Sequence, residues 1–301
     1  MWNKNIIVAL ICSGLMVLAG CQKEDSQVPE TTPEETVEKT TYNITVVATK
    51  KVDTKALYLE GSSLNAYWKP TDKVRVYKEG LYIGELSVVP EDGDKPTQAT
   101  LSGELTVDGL AVNDVLTMLF PRASWDYTGQ TGGLTGTGSI EDTYDYAIAQ
   151  VNVASIAGNT ITTSGSASFI NQQSIYRFGF KVGGEALSVK QFSVIASSNL
   201  LVRKIEWSGD SWVSTPGSIT ITPQSATSDL IYASLRNEIA GTSSPDTYSF
   251  TVIGDDKAAY LGGKEIPAAA LNKQGRFIGV KNVAVTKAVM PKSSSSVSEA
   301  W

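Results

Sequence analysis

The sequence has no histidine among its 301 residues and only two cysteines. Without an imidazole side chain it cannot build a Ser-His-Asp triad, a Cys-His nucleophile or an HExxH zinc site. Its formal net charge of −6 disfavours binding to a nucleic-acid backbone, which calls for a basic surface. With 42% hydrophobic residues the chain is too apolar for a disordered protein. These absences favour an acidic, non-enzymatic globular protein, and they imply no cofactor.

The N-terminal hydrophobic run is too short to cross a membrane. Ile6–Leu18 follows the single charge of Lys4 and falls short of the roughly 20 residues of a transmembrane helix. This pattern predicts a secretion signal over residues 1–20. The residues Leu18-Ala19-Gly20-Cys21 resemble a bacterial lipobox. That resemblance implies cleavage before Cys21 and acylation of Cys21 by fatty acids such as palmitate. The alternative is an ordinary signal peptide with a chance cysteine.

Cysteine usage agrees with export. Cys12 lies within the predicted signal and Cys21 would carry lipid, which leaves no pair of thiols for a disulfide. Residues 22–25 (Gln-Lys-Glu-Asp) resemble a short signal that sends lipoproteins of some Gram-negative anaerobes to the outer surface; the alternative is a charged tether. Residues 21–41 are rich in Glu, Thr and Pro, which predicts a flexible linker. We therefore expect a surface-exposed lipoprotein of the outer membrane.

From residue 42 onward, apolar and polar residues alternate with period two, which predicts β-strands. Tyr42–Thr49 is the first such segment. Lys73–Tyr77 and Leu81–Leu86 form a hairpin candidate in which Gly80 supplies the positive φ of a tight turn. The helix signal is weak and confined to Pro267–Gly275. The pattern indicates an all-β protein of antiparallel sandwiches, with further strands near 100–107, 115–120, 177–182, 191–196, 218–222, 248–253 and 277–286.

A stretch of small residues at Ser164–Ser168 separates two strand-rich halves of similar size. Such a stretch is typical of a domain boundary. We predict an N-terminal β-sandwich domain at residues 42–165 and a C-terminal β-sandwich domain at residues 166–290. Residues 291–301 are predicted to be a C-terminal tail.

The densest motif is the glycine-rich stretch from Trp125 to Tyr146. It lacks the Gly-Lys-Ser/Thr of a phosphate-binding loop. Its carboxylates could serve as calcium ligands, but they fit no EF-hand spacing. The favoured alternative is a long connection whose glycines permit turns and whose aromatic residues anchor it to the sandwich, with no metal site. The carboxylates concerned are Asp126, Glu141, Asp142 and Asp145. A glycosidase-type carboxylate pair is a weaker hypothesis.

Three tryptophans are candidates for a glycan-binding platform: Trp125, Trp207 and Trp212. Trp207 and Trp212 flank a predicted turn. If exposed, their indoles could stack on sugar rings; if packed, they form a cross-strand aromatic pair, which is the more common arrangement.

Several short sequence segments, taken in their order along the chain, resemble the fimbrillin family, the lipoprotein subunits of type V pili and related surface fimbriae. Together with the lipobox they span most of residues 21–290. The resemblance implies two tandem transthyretin-like β-sandwich domains with antiparallel sheets of the Greek-key type, surface delivery by lipidation and assembly by strand exchange. The segments are Leu64–Trp68, Asp72–Tyr77, Leu101–Gly103, Asp126–Gly132, Tyr144–Ala147 and Phe169–Ile175.

The resemblance also implies a maturation step. In the family, an Arg- or Lys-directed protease removes the N-terminal segment with its first strand, and a strand from the C-terminal region of another subunit fills the groove. Here Lys50, Lys51 and Lys55 follow the first strand as candidate cut sites; the alternative is that they are solubilising lysines at a strand end. No Arg precedes Arg75, so a strictly Arg-directed cut is not supported.

Two functions follow as hypotheses. The first is a surface-anchored fimbrial subunit that serves cell adhesion, with other pilus subunits, outer-membrane lipid and a host or bacterial surface ligand as partners. The alternative is a cell-surface lipoprotein that binds glycans through exposed tryptophans.

Overall fold

Strands dominate the described part of the chain. The computed structural model describes residues 38–50, 58–60, 63–65, 67–122, 124–207, 212–238, 244–271 and 274–289. This confirms the all-β prediction. The strands are β1 (Thr40–Lys50), β2 (Tyr58–Glu60), β3 (Ser63–Asn65), β4 (Lys73–Lys78), β5 (Leu81–Pro90), β6 (Gln98–Val107), β7 (Val115–Phe120), β8 (Ser124–Asp126), β9 (Ala147–Ala157), β10 (Thr160–Thr163), β11 (Ala167–Asn171), β12 (Ser174–Val182), β13 (Glu185–Ala186), β14 (Val189–Ala196), β15 (Leu201–Trp207), β16 (Trp212–Pro216), β17 (Ile219–Ile221), β18 (Ile231–Asn237), β19 (Asp246–Gly254), β20 (Ala259–Ile266) and β21 (Phe277–Lys287).

Two one-turn helices accompany the strands: α1 (Ile140–Thr143) and α2 (Ala268–Leu271). Ser139 caps α1, because its side chain accepts a hydrogen bond from the backbone N–H of Asp142. The second helix lies where the sequence predicted one, directly after Pro267. Neither helix is long and apolar enough to span a membrane, and the described residues contain no other candidate.

The first sheet closes on itself. Its strands follow the order β10, β1, β11, β9, β7, β4, β5 and β6; in addition, β6 pairs with β1 and β10 pairs with β9. The hairpin β4–β5 is as predicted, with Glu79 and Gly80 in its turn at φ 48° and 79°. Inward side chains from every strand fill a core that includes Trp68, Leu101 and Phe169.

The second sheet is open and larger. Its order is β16, β15, β18, β12, β21, β20, β19, β14 and β17, with β13 paired to β12 and β8 paired to β15. Its core is rich in aromatic rings: Phe178, Phe180, Phe192 and Phe250 contact one another at centroid distances of 4.9–6.3 Å. Phe178 and Phe180 are stacked, and the other five pairs are tilted or edge-to-face.

Pairing departs from the predicted antiparallel pattern in two places. β1 runs parallel to β10 and β11, and β12 runs parallel to β21. A period-two sequence pattern reports which residues face the core, and it is identical for parallel and antiparallel neighbours. The sequence pattern therefore could not show that β1 runs parallel to β10 and β11, or that β12 runs parallel to β21.

Two segments cross the predicted boundary between residues 165 and 166. β11, at residues 167–171, pairs with β1 and β9 in the first sheet. The stretch from Trp125 to Tyr146 packs into the second core, although it precedes the boundary in sequence. The described residues all belong to one compact unit. The division into domains at 42–165 and 166–290 stays a prediction, and the change of sheet falls between Asn171 and Ser174.

Candidate functional site

The first strand, β1, is held at both edges. Along one edge it pairs antiparallel with β6 from Thr40 to Thr49, and along the other it pairs with β10 and then with β11. Its sequence, Thr-Thr-Tyr-Asn-Ile-Thr-Val-Val-Ala-Thr-Lys, is rich in β-branched residues, which favour extended backbone. β1 is therefore the strand that closes the first sheet.

Alternate side chains of β1 point into the first core. Tyr42, Ile44, Val46 and Ala48 are between 0% and 9% exposed, and the residues between them face outward. Burying one aliphatic side chain of this size contributes about 1.5–3 kcal/mol. The inward face of β1 therefore occupies a groove that would be apolar without it.

The last inward residue of β1 is Lys50, a cation that is only 3% exposed. Its ammonium donates hydrogen bonds to the backbone carbonyl of Tyr67 and to Oδ2 of Asp145, both at 3.1 Å. Oδ2 of Asp72 lies 3.9 Å away. A buried charge is tolerated only when it is paired in this way.

Aromatic rings complete the surroundings of the ammonium. Nζ of Lys50 lies 3.9 Å from the ring centroid of Phe120 and 4.5 Å from that of Trp68. Edge-to-face contacts hold Trp68 against Phe120 and Phe169 at 5.4 and 5.2 Å. Aromatic faces attract a cation through the ring quadrupole, most strongly where water is excluded. We call the group Trp68, Asp72, Phe120 and Asp145 the lysine socket.

A second ion pair lies beside the socket. Lys69 contacts Glu141 at 2.9 Å, and the hydroxyl of Tyr67 donates a hydrogen bond to the same carboxylate. Burial alone would raise the pKa of Glu141, but these two hydrogen bonds outweigh it and lower that pKa. Burial raises the pKa of Asp72, against the opposing charge of Lys50. Hydrogen bonds therefore decide the direction of the pKa shift at Glu141, whereas burial decides it at Asp72.

The cavity that Lys50 itself borders is small, whereas a second cavity of about 160 Å³ borders Asp72, Phe120 and Asp145. The small cavity, of about 20 Å³, lies among Lys50, Tyr67, Phe120, Glu141 and Asp145. This is about the volume that one water molecule needs. Oδ1 of Asp145 has no hydrogen-bond partner within the described residues. The site therefore fits a lysine ammonium closely.

The structure describes one of the three candidate cut-site lysines. Lys51 and Lys55 lie outside the described residues, as do the lipidation candidate Cys21 and residues 291–301. Lys50 is not the solubilising surface lysine of the alternative interpretation, because its side chain is buried. A protease that recognises lysine must bind that side chain, so the burial of Lys50 disfavours cleavage after it in the folded chain.

The tryptophans predicted as a glycan platform have different environments. Trp125 is completely buried, stacks on Tyr146 at 5.4 Å and donates from Nε1 to the carbonyl of Arg122, so its ring is not accessible as a glycan platform. Trp125 is buried because it packs into the core of the second sheet, to which the N-terminal half of the chain was not expected to contribute. Trp207 is partly buried and donates from Nε1 to the carbonyl of Gly80 at 3.1 Å. Trp212 lies opposite Trp207 in the β15–β16 pairing, and its side chain is outside the described set.

The chain is similar to solved structures of fimbrial proteins. No protein-family model and no curated protein matches it. A tip fimbrial protein from Porphyromonas gingivalis is 8% identical, with a TM-score of 0.38, and the match covers 83% of this chain and 99% of that one. A fimbrial assembly protein from Parabacteroides distasonis is 9% identical at a TM-score of 0.34, with coverages of 84% and 100%. A fimbrial protein from Bacteroides ovatus is 13% identical at 0.36, with coverages of 80% and 48%.

The glycine-rich stretch connects β7 and β9 of the first sheet and includes part of β8. Gly129, Gly132, Gly136 and Gly138 all have positive φ. A Cβ on Gly132 would lie 2.5 Å from Ile231. The four carboxylates of this stretch each accept a hydrogen bond from within the protein: Asp126 from Thr128, Glu141 from Tyr67, Asp142 from Gly138 and Asp145 from Lys50. Among the described residues, no cluster of three metal-ligating side chains occurs.

The lysine socket was missed by the sequence reasoning. One signal for it was present: even-numbered residues of β1 face inward, and Lys50 continues that series. A lysine in phase with four core residues predicts a buried cation with an acidic partner. The identity of the partner was not readable, because Asp145 lies 95 residues further along the chain.

Proposed function

We propose that the chain is a surface-anchored fimbrial subunit, a lipoprotein that assembles by β-strand exchange and serves cell adhesion without enzymatic activity. The observation that carries this proposal is the position of β1, which closes the first sheet and lies at the N-terminal end of the described chain. One cut in the segment after Lys50 would break the covalent link between β1 and the rest of its sheet.

Loss of β1 would create a strong binding site for another strand. The backbone of β6 would lose its partner from Gln98 to Val107, and β10 and β11 would lose theirs. Unpaired strand edges next to an apolar groove readily recruit an extended segment. Main-chain hydrogen bonds would supply affinity, and alternating side chains would fix the register.

Anchoring enters the proposal through the lipobox. Acylation of Cys21 would hold the chain to the outer membrane through residues 22–41. In this scheme the uncut chain is an anchored precursor, and a cut at Lys51 or Lys55 releases a subunit able to polymerise. Partners would then be other pilus subunits and a ligand on a host or bacterial surface.

The test is the N-terminus of the protein recovered from cell surfaces. We expect a population that begins directly after Lys51 or Lys55 and that elutes as oligomers in size-exclusion chromatography. A variant with both lysines changed to glutamine should remain monomeric and keep its acylated Cys21. If every surface molecule begins at Cys21 and is monomeric, the polymerising role is wrong and an anchor role replaces it.

A second candidate function is glycan binding, and the position of Trp207 favours it. Trp207 borders an open cleft of about 580 Å³ whose other walls include Lys78, Asn113, Asp114 and Gln150. The indole offers an apolar face to a sugar ring, and the amide, carboxylate and ammonium groups can form hydrogen bonds with its hydroxyls.

A glycan array separates this candidate from the first. Binding that is lost in Trp207→Ala and retained in Trp207→Phe would support a glycan site. Equal array signals for the parent and Trp207→Ala would exclude it.

A further inference from the structure

The lysine socket suggests which strands can replace β1. We propose that the lysine socket is a selectivity site. The groove that β1 fills would accept a strand that carries lysine at the position equivalent to Lys50 and a small residue at the position equivalent to Ala48. This inference rests on the proposed strand exchange and adds the chemistry of the partner. The occupant is a strand of another polypeptide that runs in the same direction as β1.

The first argument is charge. When β1 leaves, Lys50 leaves with it, and Asp145, which is 5% exposed, loses its hydrogen-bonded cation. Asp72 loses its nearest positive charge at 3.9 Å. Removing one partner of a buried ion pair leaves an uncompensated charge that is costly in a low-dielectric site. A strand that ends in an apolar residue at this step leaves that cost in place, whereas lysine removes it.

The second argument is shape. The ammonium lies against the faces of Phe120 and Trp68, and the cavity that Lys50 itself borders measures only about 20 Å³. A guanidinium is a broad planar group with a fixed fork of donors, whereas an ammonium is compact. The socket therefore favours lysine over arginine.

The third argument concerns the preceding inward step. Ala48 pairs with Ala99 of β6 on one side and with Ala167 of β11 on the other. All three alanines are at most 1% exposed, so a larger side chain at this level would have to displace buried neighbours. The accepted pattern is therefore a small residue, any residue and then lysine, after two aliphatic inward steps.

The sequence near the C-terminus of this chain fits the pattern poorly. With Lys292 at the socket, Met290 would take the step of Ala48, and Pro291 would lie between them without a backbone N–H. A second copy that donates residues 288–301 is therefore a disfavoured occupant.

Peptide competition tests the selectivity. The segment 51–57 of the full chain is replaced by a recognition sequence for a specific endoprotease, so that one cut leaves β1 seated but exchangeable. A fluorescent peptide of residues 40–50 is bound, and unlabelled peptides with Lys, Arg or Met at position 50 compete with it. We expect the Met peptide to compete at least about tenfold more weakly than the Lys peptide, with the Arg peptide also weaker.

Controls separate the site from the general groove. Thr45→Met in the peptide changes an outward residue and should leave competition unchanged. An Asp145→Asn chain, or Asp72→Asn if the first does not fold, should lose most of the preference for lysine. Equal competition by the Lys and Met peptides would overturn the selectivity proposal while leaving strand exchange intact. Competition by the 288–301 peptide as strong as that of the Lys peptide would overturn the choice of partner.

Failure of every peptide to exchange would contradict strand exchange instead. The socket would then be judged on the uncut chain, by thermal unfolding of Lys50→Met, Asp145→Asn and the double variant. A specific cation site predicts that the double variant loses clearly less in Tm than the two single losses combined. Additive losses would overturn the socket itself.

Discussion

Asp246, at the start of β19, ties the turn after β14 to the second sheet. Its Oδ1 accepts hydrogen bonds from the Ser197 hydroxyl at 2.5 Å and the Ser198 N–H at 3.2 Å, and its Oδ2 accepts one from the Ser198 hydroxyl. Burial alone would raise the pKa of Asp246, but these hydrogen bonds outweigh it and lower that pKa. The ionised carboxylate is therefore favoured in the folded state.

A lowered pKa of Asp246 has a definite sign for stability. Its contribution is complete above the unfolded value near pH 4 and is lost as pH falls through the folded pKa. We expect Asp246→Asn to lower the free energy of unfolding at pH 7 and to flatten the loss of stability below about pH 5. Urea unfolding at several pH values measures this. The exposed Asp108→Asn is the control, and an unchanged acid slope in Asp246→Asn would contradict the assignment.

At the level of single residues, part of the candidate site could be predicted from the sequence. The alternation in β1 places Lys50 on the inward face, which follows from local geometry alone. Its partners Asp72 and Asp145 come from distant parts of the chain, and no local pattern joins them to Lys50. The cation could thus be predicted, whereas the socket around it could not.

At the level of elements, β5 and β6 approach each other unusually closely. A Cβ on Gly84 would lie 2.3 Å from the backbone carbonyl of Glu104, a position that no side-chain movement can relieve. Because β6 is also the long partner of β1, a displacement of β6 would disturb closure of the first sheet.

We therefore expect Gly84→Ala to destabilise the protein by about 1–3 kcal/mol, which is the usual cost of an overpacked site. Gly279→Ala in β21 is a matched control, since nothing lies within 4 Å of its Cβ position. That variant should be neutral or slightly stabilised. Chemical denaturation of both variants measures the difference, and equal stabilities would show that β5 and β6 can separate freely.

Elements defined by neighbouring residues were predictable, and those defined by distant pairing were not. The β4–β5 hairpin follows from two alternating segments around Glu79 and Gly80, and its turn geometry is set by those residues themselves. The pairing of β1 with β6 joins Thr40 to Val107 and depends on packing across the whole sheet. Sequence alternation predicts such strands but cannot choose their neighbours.

For the whole molecule, the connection between the sheets is the central feature. Trp125, Tyr127, Tyr144 and Tyr146 lie between β7 and β9 of the first sheet, yet all four are buried in the second core. Gln130 binds the backbone of Ser234 through both amide atoms, at 2.7 and 2.8 Å. The second core therefore depends on side chains from the first half of the chain.

A chain of residues 166–301 tests this dependence. It would lack the four aromatic residues and Gln130, and we expect it to show no cooperative calorimetric transition. The chain of residues 38–301 should unfold cooperatively under the same conditions. Cooperative melting of the shorter chain would establish the predicted domain boundary and show that the connection is dispensable.

Closure of the first sheet by β1 also has a consequence for the order of synthesis. Thr40 leaves the ribosome well before its partners in β6, and earlier still than β10 and β11 near residue 171. β1 can pair with β6, β10 and β11 only after most of the N-terminal half of the chain has been made, because contacts this distant in sequence form late. During that interval the same segment of another copy of the chain can compete for the position of β1. A high local concentration of the chain would then favour exchange of β1 between copies over closure within one copy.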